Sequence, residues 1–150
     1  MARSALAGPV DDPLELLMTD LANWAPPMSP RAERELSDRV LLGCNWDRFE
    51  PEGYRDPVYW KPLHARDAEH ALMFAEGRHP HPLQRLDDAL AIFPPGWMVV
   101  EMRLLNHPRL WMAGAVQVIN GKRLSPMHVC LSVAVCSAAV LAWAEERSQE

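Results

Sequence analysis

The sequence predicts an α+β domain: an antiparallel sheet of about three to four strands layered with helices, sandwich-like in the α/β/α sense, with an appended N-terminal helix. Three features point there. Two alternating runs flank an Asn106-His107-Pro108 turn, an Asn120-Gly121 turn follows, and the chain then closes on a long apolar helical segment. The chain has 150 residues, enough for one domain that buries about 68–70% of the surface its unfolded form exposes.

Residues 1–11 lack an apolar run of signal-peptide length and read as a disordered tail. Residues 12–25 read as the appended amphipathic helix. Asp12 caps it, Pro13 takes its first position, and Leu14, Leu17, Met18, Leu21 and Trp24 line one face. The main domain spans residues 28–147. It opens with Ser29-Pro30 capping a helix whose stripe is Ala32, Leu36 and Val40 and whose stop is Gly43. Aromatic and turn-forming residues dominate from Asn45 to Pro62, where Val58 to Lys61 fits a short edge strand.

Residues 63–82 form a His-rich insertion, with a short helix over Arg66 to Glu76 and His79-Pro80-His81-Pro82 as a rigid extended connector. Leu83, Leu86, Leu90 and Phe93 then make a helical stripe with Asp87 and Asp88 on its wet side. After the Pro94-Pro95-Gly96-Trp97 break, Met98, Val100, Met102 and Leu104 alternate with Trp97, Val99, Glu101 and Arg103 in a half-buried strand. Leu110, Met112, Gly114, Val116 and Val118 alternate with Trp111, Ala113, Ala115 and Gln117 in its hairpin partner. Leu124 to Leu131 returns as a third strand despite Pro126.

The closing helix, Ser132 to Arg147, is apolar almost all round. Such a helix must be covered on every side. Either it lies between the sheet and another helix, or Val133, Ser137, Val140 and Trp143 face a second copy in a homodimer. As a membrane span the run from Met127 to Ala144 is at the short edge of the required length, and it carries His128, Ser132 and Ser137. A buried helix preceded by part of a strand is the expected reading, and the three cysteines, read as reduced thiols, make a cytoplasmic protein the expectation.

The composition argues against several functions. Lys and Arg total 15 against 20 Asp and Glu, a net charge of −5, with the two signs interleaved. Nucleic acid is therefore disfavoured as a direct ligand, since phosphate binding needs a concentrated basic face. A regular acidic track imitating DNA is disfavoured equally. Cys44, Cys130 and Cys136 have no CxxC spacing and read as buried reduced thiols. His64, His70, His79 and His81, near Asp67 and Glu69, contain the residue types of a zinc site without helical or strand spacing to fix them. They read as exposed loop histidines; no metal, cofactor or catalytic residue is assigned. The glycines are scattered singly, so no phosphate loop is present.

Six tryptophans are a better lead. Large amphipathic rings dominate interface hot spots, and Trp24, Trp60 and Trp111 are the candidates for a binding surface. Trp111 shares a strand face with Ala113 and Ala115, so a shallow apolar patch is expected there.

Three blocks of sequence carry a family resemblance. They are Glu35-Leu36-Ser37-Asp38-Arg39-Val40-Leu41-Leu42-Gly43-Cys44-Asn45-Trp46; Trp60-Lys61-Pro62 followed by Leu86-Asp87-Asp88-Ala89-Leu90-Ala91-Ile92-Phe93-Pro94-Pro95-Gly96-Trp97; and Ala134-Val135-Cys136-Ser137-Ala138-Ala139-Val140-Leu141. In order and spacing, from about Pro30 to Ala144, the chain resembles the phage ABA sandwich domain. That resemblance implies a phage or prophage accessory role and assigns no catalytic residues. The expectation is a non-enzymatic protein that binds a protein partner, such as a host defence component, in the manner of an anti-CRISPR. The alternatives are a metal-dependent enzyme built on the His64 to His81 segment and a structural virion or assembly protein.

Overall fold

Helix α1 (Leu14–Ala22) shows how the apolar stripe becomes core. Leu17 and Leu21 are buried, and Trp24 follows them inward just past the helix end. The computed structural model describes residues 13–25, 28–49, 59–62, 80–106 and 108–149, with the backbone alone for 47–49 and 59–62. The N-terminal tail, the Asp12 cap, the Arg66 to Glu76 helix, and His64, His70 and His79 lie outside the described residues.

Helix α2 (Pro30–Gly43) begins as its sequence requires, with Ser29 Oγ accepting the Ala32 N–H at 3.0 Å and proline at the first position. Its end differs from the expectation. Gly43 is the last helical residue, not the stop, and the left-handed residue is Asn45, at φ 58°. A Cβ on Gly43 would sit 3.1 Å from Leu17 Cδ2, so this glycine lets α1 and α2 approach closely. Leu17, Leu21 and Trp24 belong to one core with Leu36, Val40, Leu41, Val133 and Val140. Helix α1 is thus an integral layer of the domain and not an appendage.

Strands β1 (Trp46–Phe49) and β2 (Tyr59–Pro62) pair antiparallel as a two-stranded sheet, with Trp46 opposite Pro62 and Phe49 opposite Tyr59. The Val58 to Lys61 expectation is met one residue further on. Pro80 and Pro82 are fully buried, so this part of the connector expected to be rigid and extended packs against the core. A short turn follows, in which the Arg85 N–H bonds to the His81 carbonyl at 2.8 Å.

Helix α3 (Leu86–Ala91) has only six residues. Ala89 within it and Ile92 at its C-cap are fully buried, whereas Leu90 is exposed. Asp88, expected on the wet side with Asp87, is 1% exposed and accepts the His81 N–H through Oδ2 at 2.9 Å. One turn of helix cannot satisfy the polar backbone of the buried Pro80–Pro82 segment. An inward carboxylate does so.

Strands β3 (Trp97–Asn106) and β4 (Arg109–Gln117) form the predicted hairpin, from Trp97 opposite Gln117 to Asn106 opposite Arg109. A bulge between Val99 and Glu101 reverses the alternation of β3. Trp97 and Val99 therefore share a face with Ala115 and Gln117, and beyond the bulge Met102 and Leu104 take that side. The third strand exists as two pieces, β5 (Arg123–Leu124) and β6 (Met127–His128), both paired to β4. Pro126 interrupts it, although its carbonyl still accepts the Ala113 N–H at 3.0 Å. The turn before it is as expected: Gly121 has φ 72°, and Asn120 Oδ1 accepts the Lys122 N–H at 2.9 Å.

Helix α4 (Leu131–Ser148) is the centre of the molecule. It touches the sheet on one side and α1, α2 and α3 on the other. The layers therefore run sheet, α4, then the remaining helices, with the described helices all on one face of the sheet. Val133 and Val140 are fully buried, Ser137 and Trp143 nearly so. These four residues are used inside one chain and offer no interface to a second copy. Ser137 Oγ donates to the Val133 carbonyl at 2.9 Å, and Trp143 Nε1–H donates to the Ile92 carbonyl at 2.7 Å. Within the described residues no helix is long and apolar enough to cross a membrane.

Removing the Trp143 ring creates a cavity and orphans the Ile92 carbonyl. Trp143→Ala is expected to lower unfolding free energy by about 3–5 kcal/mol, read from denaturant midpoints; an unchanged midpoint would contradict its core role. Asp88→Ala leaves a buried N–H without its acceptor and should cost about 1–3 kcal/mol by the same measurement.

Candidate interaction surface

The sheet has two faces of unequal character, and the register assigns every side chain to one of them. The inner face carries Trp97, Val99, Ala113, Ala115 and Gln117, and Ala115 packs with Ala138 and Ala142 of α4. Small residues on both sides let the helix backbone lie close against the strands. The outer face carries rows that cross the sheet: Leu105 with Leu110; Arg103 with Met112 and Met127; Glu101 with Gly114; and Met98 with Val116 and Arg123. Met98 is 53% exposed and Met127 54%. At the β3 edge, Val100 in the bulge and Met102 beyond it are 48% and 43% exposed. Exposed apolar side chains grouped in this way mark a candidate interaction surface.

Polar residues are built into this face. Arg123 reaches across β4 to Glu101, its Nη2 donating to Oε1 at 2.5 Å. Gly114 makes the crossing possible: a Cβ there would lie 2.5 Å from Arg123 Nη2 and 3.2 Å from Glu101 Cβ. A glycine inside a strand signals such close approach in sequence, yet only the register reveals which side chain passes over it. Arg103 is exposed, with no ion-pair partner among the described residues.

Of the three tryptophans singled out from sequence, Trp24 and Trp111 lie off this face. Trp24 is 7% exposed because α1 is part of the core. One edge of it lines a groove of about 270 Å³ between α1 and α2, with Met28, Ala32 and Leu36 as apolar lining. Asp20 and Arg39 close that groove in an ion pair of 2.6 Å. Trp111 is half-buried on the inner face, opposite His128. The apolar patch expected around Trp111, Ala113 and Ala115 is thus the face α4 covers, and the exposed patch is its reverse. Trp60 stands in β2 opposite Arg48, and its side chain lies outside the described residues.

Two of the three cysteine thiols are packed into the core. Cys44 and Cys136 are fully buried. Burial pushes the Cys44 thiol well up, with Arg147 pulling weakly the other way. Burial likewise raises Cys136, reinforced by Cys44 and Asp88, and its Sγ donates to the Pro82 carbonyl at 3.1 Å. A thiol held protonated in apolar surroundings is a poor nucleophile. Cys130 is half-buried and caps α4 through its backbone. Among the described residues no group of three or more His, Cys, Asp or Glu side chains is placed to hold a metal. His81 is half-buried, with its backbone tied to Asp88.

His128 is the unforeseen polar joint. It is 5% exposed, its Nδ1 accepts the Cys130 N–H at 2.9 Å, and the backbone of Trp24 and Leu21 lies close enough to its ring to act on its charge. One imidazole therefore links α1, the third strand and the start of α4. Burial holds its pKa below the ordinary value, with the nearby backbone of Trp24 and Leu21 acting the other way. An acceptor at Nδ1 requires the neutral ring.

Comparison with protein-family models, curated proteins and solved structures finds no match to the chain. The likeness to the phage domain rests on the three sequence blocks alone.

The sign of the His128 effect is definite. The folded state takes up this proton less readily than the unfolded chain, so its contribution is full above a pH of about 6.5 and declines as pH falls below that value. Unfolding midpoints should fall on acidification, and the gap between wild type and His128→Gln should narrow from about pH 7.5 to pH 5.5. A gap that stays constant would rule the linkage out.

Proposed function

We propose that this chain is a non-enzymatic phage or prophage accessory protein that works by holding a protein partner. The observation that carries this reading is the outer face of the sheet. Met98, Met127 and half-buried Val116 lie beside Arg103, Arg123 and Glu101 on a surface that the described helices leave uncovered. Methionine and arginine are enriched at protein interfaces, and unbranched methionines adapt their shape to a partner at little cost. The net charge of −5 repels a nucleic-acid backbone, which further favours protein as the ligand. The sequence resemblance adds the biological class: a partner belonging to host defence, such as the CRISPR machinery.

Such a protein needs complementary area and no reacting group. Affinity would come from central apolar contacts, and the Glu101–Arg123 pair would set orientation at their border. Met127 lies on β6, away from the β3 edge, and its exposed side chain contributes little to the fold.

The test is capture from a bacterial host lysate by immobilised wild type and Met127→Asp, followed by rebinding of the recovered protein in purified form. The reading requires direct binding of that purified protein, weakened about tenfold or more by the aspartate, an effect of at least about 1.4 kcal/mol, with melting unchanged. Equal binding by both proteins, or failure of every recovered protein to rebind, would remove the outer face as the site.

A further inference from the structure

We infer that β3 is the contact through which two copies of this chain associate, edge to edge, into one continuous antiparallel sheet. Strand β3 stands at the end of the sheet order, bonded on one side to β4. It has ten residues, and Met98, Val100 and Met102 along it are large, apolar and exposed. A long apolar edge is a template for another strand unless something blunts it.

The charges on β3 select the occupant. Symmetric antiparallel pairing centred on Met102 sets Glu101 opposite Arg103 of the second copy and Arg103 opposite its Glu101. Centring on Glu101 or on Arg103 would set like charges against each other. Both residues lie on the outer face, opposite Gly114 and Met112 respectively, so the two cross-copy pairs form on the same side of the joined sheet. Arg103 has no ion-pair partner among the described residues. Glu101 uses one oxygen for Arg123, and a carboxylate has acceptor capacity for a second guanidinium. Opposite charges directly across antiparallel strands each contribute about 0.2–1 kcal/mol, while like charges there oppose pairing.

The same register brings Val100, turned out by the bulge, against Leu104 of the second copy, and Met102 against Met102. The bulge falls before Glu101, so the paired core begins where β3 regains a regular ladder. A strand with this self-complementary order, Glu-Met-Arg flanked by aliphatic residues, fits a second copy of itself. Met127, the position that tests partner binding, lies on the far side of β4 and outside this contact.

Sedimentation or light scattering between about 1 and 100 μM tests it, spanning Kd values of ordinary weak dimers. Wild type should reach twice the chain mass, and Arg103→Glu should raise the dimer Kd about tenfold or more without changing the circular dichroism spectrum. Met102→Cys supplies an independent readout. Directly opposed residues have Cα atoms about 4.5–5.5 Å apart, within disulfide range, so mild oxidation should give a covalent dimer through residue 102. Val118→Cys, exposed but off this register, should not. A wild type that stays monomeric at the highest concentration, an Arg103→Glu dimer of unchanged strength, or residue 102 cross-linking no faster than residue 118 would overturn the inference. Met127→Asp should leave the dimer intact, which separates this result from the partner-binding test.

Discussion

The structure depends on one constraint: α4 has no wet face until its last turn, so every other described layer is placed to cover it. Ten of its positions are buried, a number no single packing partner could shield. The sheet takes the side presented by Ala138 and Ala142, and α1, α2 and α3 take the rest. Hydrophobic burial on all sides of one helix makes the domain a single cooperative object. It also explains why α1 cannot be a loose attachment, since Leu17 and Leu21 complete the cover.

Polar groups then fasten the layers at the points where α4 emerges. Glu146 accepts both Trp97 Nε1–H at 2.8 Å and Gln117 Nε2–H at 3.2 Å, the two residues paired across the start of the hairpin. Arg147, one position on, donates to the Gly43 carbonyl at 3.1 Å at the end of α2. Lys122 meets Glu145 at 2.6 Å. One helical turn thereby clamps sheet to helix and helix to helix, because successive positions point about 100° apart. At the opposite end of α4, His128 and Cys130 make the corresponding joint with α1.

This arrangement has a consequence for function. With all the described helices on one face, the reverse of the sheet keeps exposed Met98 and Met127, and among the described residues β3 pairs on one side alone. Surface that a central sheet would have buried is left for contact. The buried thiols and Asp88 meanwhile satisfy backbone groups or fill core.

Residue periodicity and turn chemistry determined the helices, the hairpin and its two turns, because caps, prolines, Asn-Gly and alternating runs act over a few residues and need no distant partner. The apolar length of α4 likewise required that it be covered. Tertiary structure alone decided which covering was used and which face of the sheet it took. Both alternations of β4 are apolar, Leu110, Met112, Gly114 and Val116 on one side and Trp111, Ala113 and Ala115 on the other, so period-two reasoning cannot choose between them. The choice came from closeness of approach: alanines of the strand admit the alanines of α4, and bulkier methionines do not. The β3 bulge, the inward turn of Asp88 and the passage of Arg123 over Gly114 were decided at the same level. Each depends on a residue brought near by folding, and local pattern holds no record of that neighbour.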